Sequence, residues 1–77
     1  MKVSLYTTPE CGLCRQAEAI LRRLQEKIRF ELALVDIGGD DELFRKYWDK
    51  IPVVLRDGQE IAAAPLDERT LRDALRR

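Results

Sequence analysis

Cys11, Gly12, Leu13 and Cys14 stand where a strand-like run gives way to a helix-like one, and this junction limits what the chain can be. Residues three apart on a helix share a face about 5–6 Å apart, within the Cα separation that a disulfide closes. The two thiols can therefore alternate between dithiol and disulfide. A cysteine at a helix start also meets unpaired backbone N–H groups and the positive end of the helix dipole, and both favour thiolate over thiol. Cys11 is the expected nucleophile. Cys14, one turn further in and more buried, is the expected resolving thiol, which attacks once Cys11 has formed a mixed disulfide. Two cysteines this close make a poor structural staple, because a disulfide stabilises least when it closes a short loop. In a reducing compartment such a pair reads as catalytic.

Size and charge narrow the setting. Seventy-seven residues make a single domain spanning 1–77, with a modest core and little margin of stability. Fourteen basic residues balance fourteen acidic ones, so no net field draws the chain to nucleic acid or to an anionic membrane. The N-terminus begins with a strand-like run instead of a basic and apolar leader, and no long apolar run follows. The expected compartment is the cytoplasm, and the expected state is a monomer.

Lys2 to Tyr6 reads as a first strand, ended by Thr7, Thr8 and Pro9. Pro9 lacks an N–H and biases Thr8 towards extended conformations, so the chain turns here and delivers Cys11 to a helix start. From Leu13 the apolar residues fall at Ala17, Ile20, Leu21 and Leu24, the spacing of one helix face, and Glu18 stands four residues before Arg22 on the other. Phe30 to Ile37 alternates two sets that are both mostly apolar, as expected of a strand covered on both sides. Gly38 and Gly39 end it, and Asp40 or Asp41 can cap a short helix through Leu43, Phe44, Tyr47 and Trp48, whose aromatic members are expected to pack in the core or at its edge. Val53 to Leu55 and Gln59 to Ala63 flank Asp57-Gly58, a pair suited to a tight hairpin turn with φ > 0 at both central positions. A last helix follows a cap at Asp67, with Leu66 placed as a hydrophobic staple on Leu71, and Leu71, Ala74 and Leu75 form its buried stripe.

The order β-α-β-α-β-β-α, with Cys11 and Cys14 at the first helix start and Ile51-Pro52 entering the third strand, resembles the thioredoxin fold in its small glutaredoxin form. The resemblance implies an α/β domain with a four-stranded mixed sheet flanked by three helices. It also implies a cis Ile51-Pro52 bond packed beside the cysteines, with a substrate-binding surface built from Pro9, Gly12, Leu13, Ile51 and Pro52. The chain departs from glutaredoxins where they commonly hold glutathione. Thr8 stands in place of a Lys, Gly12-Leu13 in place of a Pro-Tyr or similar pair, and approximately Ala62-Ala63 in place of a Gly-Gly that needs backbone freedom. Arg15 and Lys50 are the cations left to meet a glutathione carboxylate. The pattern is similar to glutaredoxin-like proteins that keep the cysteine pair and the Ile-Pro-Val segment without those contacts.

The expected activity is that of a dithiol–disulfide oxidoreductase in which the Cys11 thiolate attacks a disulfide and Cys14 resolves the mixed disulfide. No bound cofactor and no metal is required. The expected partners are protein or small-molecule disulfides, with thioredoxin reductase or glutathione as reductant. Two other classes compete with this reading. Zinc or an iron–sulfur cluster normally takes four ligands, and two thiols without a histidine reach that number only in a dimer or with external thiols. A redox-silent interaction module using the fold's peptide groove is the other.

Overall fold

The computed structural model describes residues 1–76. Its elements are β1 (Lys2–Thr7), α1 (Gly12–Leu24), β2 (Glu31–Asp36), a 3₁₀ turn (Ile37–Gly39), α2 (Asp41–Tyr47), β3 (Val53–Arg56), β4 (Gln59–Ala63) and α3 (Glu68–Leu75). The strands form one sheet in the order β2-β1-β3-β4. β1 runs parallel to β2 and antiparallel to β3, and β3 and β4 form an antiparallel hairpin, so the sheet is mixed. This is the expected thioredoxin-like architecture.

Alternation along the central strands decides which helix lies on which face. Val3, Leu5 and Val54 point to one side, where they join Ala17, Leu21 and Leu24 of α1 and Leu71 and Leu75 of α3 in the main core. Val53 and Leu55 point to the other, where they meet Ile37 and Tyr47, with Tyr6, Leu43 and Ile51 around them. Side chains in a strand alternate between faces, so these short central strands serve both cores at once. The rings of Tyr6 and Tyr47 meet edge to face with centroids 5.0 Å apart, fixing α2 on its side. At the hairpin, Asp57 and Gly58 have φ of 50° and 87°, as the turn requires. Asp57 also exchanges hydrogen bonds with Lys2, its N–H donating to the Lys2 carbonyl at 2.8 Å and its carboxylate accepting from the Lys2 N–H at 2.9 Å. The turn is thereby tied to the start of β1.

Four expectations are corrected. β2 is not covered on both sides. It is an edge strand with β1 as its neighbour, the core under α2 is drawn from other elements, and Leu34 is 45% exposed. Trp48 is not packed, because α2 turns Tyr47 inward and leaves Trp48 and Phe44 exposed on its outer side. Leu13 does not lie on the buried face of α1. That stripe is Cys14, Ala17, Leu21 and Leu24, and Leu13 is one position off it. Finally, Ala62 and Ala63 need no glycine-like freedom, since β4 continues through both and positive φ among the described residues occurs only at Asp57 and Gly58. The caps fall as read: Asp40 accepts from Glu42 and Leu43 N–H groups at the start of α2, and Asp67 accepts from Thr70 N–H at the start of α3.

Candidate functional site

The segment after β1 sets the geometry of the cysteines. The Cys11 N–H donates to the Thr8 carbonyl at 3.2 Å, closing a turn over Pro9 and Glu10. The Arg15 side chain braces the same turn from within α1, donating to the Pro9 carbonyl at 3.0 Å. Cys11 consequently becomes the N-cap of α1, with extended backbone. An N-cap side chain ordinarily supplies an oxygen to an orphan N–H of the first turn. Here the acceptor is sulfur, and the Cys14 N–H donates to Cys11 Sγ at 3.1 Å.

Cys11 and Cys14 are joined as a disulfide with their Cα atoms 5.2 Å apart. Their surroundings differ. Cys14 is 1% exposed and heads the buried stripe of α1 that Ala17, Leu21 and Leu24 continue. Cys11 is at the rim and half-buried. One sulfur is at the rim and the other is held behind it, an arrangement suited to a two-step exchange.

Two clefts flank the start of α1. On one side Leu13 and Gln16 face Pro52 and the Ala64-Pro65-Leu66 segment across a cleft of about 230 Å³. The Ile51-Pro52 bond is cis, as the resemblance implied, and so is Ala64-Pro65, which the sequence did not announce. The Ala64 N–H donates to the Pro52 carbonyl at 3.1 Å, joining the two walls that face α1. On the other side Thr7, Thr8 and Pro9 face Arg15, Glu18, Leu34 and Asp36 across a cleft of about 260 Å³. Leu13 and Pro52 thus share the first cleft, whereas Pro9 lines the second. Gly12 heads α1 with open space where a Cβ would be. Ile51 is half-buried against the small core under α2, its N–H donating to the Tyr47 carbonyl at 3.1 Å. Gln16, Ala64, Pro65 and Leu66 are not among the expected site residues, and of these pattern reading singles out only Leu66, as the hydrophobic staple on Leu71.

Among the described residues no group of three or more His, Cys, Asp or Glu is placed to hold a metal ion. The site offers two thiols within one chain, short of the four ligands that zinc or an iron–sulfur cluster normally takes. No helix of the described residues is long and apolar enough to cross a membrane.

Comparison with known proteins agrees with this geometry. The solution structure of a protein from Nitrosomonas europaea is 34% identical, with a TM-score of 0.80 over 96% of this chain and 89% of that one. An X-ray structure of a structural-genomics target from X. campestris is 29% identical, with a TM-score of 0.82 over 96% and 95% of the two chains. A thioredoxin from Fasciola hepatica is 27% identical, with a TM-score of 0.65 over 97% of this chain and 77% of its own. A thioredoxin-like fold carrying a cysteine pair at disulfide distance supports redox chemistry. The profile of one family matches residues 2–76, nearly the whole chain, and on that match the chain belongs to the glutaredoxin-like domain family (DUF836).

Proposed function

We propose that this protein is a dithiol–disulfide oxidoreductase with Cys11 as nucleophile and Cys14 as resolving thiol. The observation that carries the reading is the position of Cys11 Sγ, which caps α1 at the rim of the site and accepts the Cys14 N–H, while Cys14 Sγ is buried beneath it. Hydrogen bonding from an orphan helix N–H, together with the dipole, favours a charged sulfur over a protonated one. In the reduced protein the Cys11 thiolate attacks a client disulfide, forms a mixed disulfide and releases the first client sulfur as a thiolate. Cys14 then loses its proton and attacks Cys11 Sγ, breaking the mixed bond, forming the Cys11–Cys14 disulfide and releasing the second client thiolate. The client gains two electrons and two protons, and the protein's dithiol loses them. A dithiol reductase of the thioredoxin-reductase type or a pair of glutathione thiols returns the electrons. Of the residues expected to meet the client, Leu13 and Pro52 share one cleft beside Gly12, whereas Pro9 lines the opposite cleft and Ile51 packs against the core under α2, so the first three are read as the surface on which the client rests. A reducing compartment such as the cytoplasm suits the cycle.

The test is turnover of a peptide disulfide with dithiothreitol as electron source. The protein should accelerate reduction well above the dithiothreitol background, and Cys11→Ser should return it to background. Full turnover by Cys11→Ser, or no acceleration by the parent, contradicts the proposal. Supplying glutathione or NADPH with thioredoxin reductase in place of dithiothreitol then identifies the reductant.

A further inference from the structure

Arg15 is exposed and follows Cys14 directly, yet its side chain turns back across the start of α1. Its guanidinium donates to the Pro9 carbonyl at 3.0 Å, and its backbone N–H donates to the Cys11 carbonyl at 3.2 Å. One residue thus grips both the turn before Cys11 and the N-cap itself. Glu18 and Asp36 line the same cleft as Arg15, but each carboxylate is engaged elsewhere. Glu18 accepts from Arg22 at 2.8 Å, and Asp36 accepts from the Gly38 N–H at 2.8 Å. The Arg15 fork is therefore turned to a backbone carbonyl six residues away instead of to the nearby acids. The ring that this bond closes, from Pro9 to Arg15, contains both cysteines.

From this we infer that Arg15 is a positioning residue for the resolution step, holding Cys11 Sγ within reach of Cys14 Sγ when no covalent bond joins them. The inference rests on the oxidoreductase reading above and assigns a residue to its second half. Two links that restrain the same short loop support one another, because each forms at less entropic cost when the other is in place. In the dithiol and in the mixed disulfide the S–S link is absent, and the Arg15–Pro9 bond is the restraint that remains. Resolution proceeds when Cys14 loses its proton and its thiolate attacks Cys11 Sγ, so that the Cys11–Cys14 bond forms, the bond to the client breaks and the client sulfur leaves as a thiolate. That step is intramolecular, and its rate follows the effective concentration of one sulfur at the other. The first step brings a client from solution to Cys11 and gains nothing from the proximity of Cys14. Arg15 accordingly favours resolution and disulfide closure over the first attack.

The parent, Arg15→Met and Arg45→Ala are each equilibrated with a mixture of reduced and oxidised dithiothreitol in the absence of oxygen. The dithiol fraction is read by alkylation and mass spectrometry. Met keeps most of the stem without a donor, and Arg45→Ala removes the same charge from the last turn of α2. Arg15→Met should shift the equilibrium towards the dithiol by about threefold, the weight of one exposed hydrogen bond from a charged donor, and Arg45→Ala should keep the parent's value. In a Cys14→Ser background, adding Arg15→Met should change the rate at which Cys11 takes up a peptide disulfide by less than about twofold. With Cys14 present, the mixed disulfide should persist about threefold longer in Arg15→Met than in the parent. A purely structural role would lower the urea midpoints of both redox forms alike and leave the dithiothreitol equilibrium unmoved. An unchanged equilibrium, an equal shift in Arg45→Ala, or a first step slowed as much as the second overturns the inference. Reduction of no peptide disulfide by the parent overturns the oxidoreductase reading and the role in resolution with it, whereas turnover with an unchanged equilibrium overturns the role of Arg15 alone.

Discussion

Among the described residues, α1 and α3 lie against one face of the sheet, over a core of nine buried residues, and α2 with the 3₁₀ turn before it lies against the other, over four. The larger core reaches from Val3 and Leu5 through the stripe of α1 to Leu71 and Leu75 of α3, and an Arg23–Glu68 ion pair at 3.0 Å links the two helices outside it. The smaller core is closed by Tyr47 and leaves Phe44 and Trp48 in solvent. The difference shows how this fold divides its work. Stability and the disulfide share one helix, since Cys14 heads the buried stripe by which Ala17, Leu21 and Leu24 anchor α1 in the first core. The second face supports the turn that leads from α2 through Ile51 to Pro52, where Tyr47 accepts the Lys50 and Ile51 N–H groups.

The largest effect that separates the two faces comes from cutting into the first core. Leu21 is fully buried, and Leu21→Ala should lower stability by about 2–5 kcal/mol, read from the urea midpoint. In so small a domain that is a large share of the total. The loss should be accompanied by faster alkylation of Cys14 in the reduced protein, because a less stable domain opens more often and Cys14 is buried when it is closed.

A second, pH-dependent effect belongs to α3 on the same face. The backbone N–H of Thr70, and then its side chain, hold the Asp67 carboxyl below its ordinary value of 3.8. A carboxylate whose folded pKa is depressed contributes stability above its unfolded pKa, and that contribution is lost as pH falls through the lower folded value. Thermal unfolding of Asp67→Asn should therefore differ from the parent at neutral pH, and the gap should narrow below the ordinary aspartate range. Asp67→Ala, which removes the cap altogether, should remain less stable at both ends. A gap that widens on acidification would be inconsistent with the capping role.

The smallest effect is expected on the second face. Trp48→Ser should shift stability by no more than about 0.5 kcal/mol, since the indole is 60% exposed. A loss comparable to that of Leu21→Ala would mean that the indole is covered in solution and that the two faces are not as unequal as described.

Much of this was legible in the sequence because it depends on local chemistry. The cysteine spacing, the turn residues of Asp57-Gly58, the caps Asp40 and Asp67, and the period of Ala17, Leu21 and Leu24 each act within a few residues of themselves. What could not be read depends on neighbours distant in sequence. The alternation of β2 looks like that of a buried strand, yet its exposure is set by its place at the sheet edge. Tyr47 and Trp48 are adjacent aromatics, and only the direction in which α2 meets Tyr6 decides which is buried. Leu13 and Cys14 are likewise adjacent, and the stripe that passes through Cys14 leaves Leu13 at the rim. The apolar cleft was hidden for the same reason, since Leu13, Pro52 and Pro65 come from three separate parts of the chain.

The central claim is that the two sulfurs have different roles because one caps a helix in view of solvent and the other sits under it. Differential alkylation tests it directly. The reduced protein is treated briefly with iodoacetamide at neutral pH, and the labelled residue is identified by peptide mass spectrometry. Cys11 should be modified first, by at least about tenfold, as expected of an accessible thiol favoured towards thiolate beside a buried one. In Cys14→Ser, a client peptide disulfide should leave a stable mixed disulfide on Cys11. Faster labelling of Cys14, or no trapped adduct on Cys11, would contradict the assignment of roles.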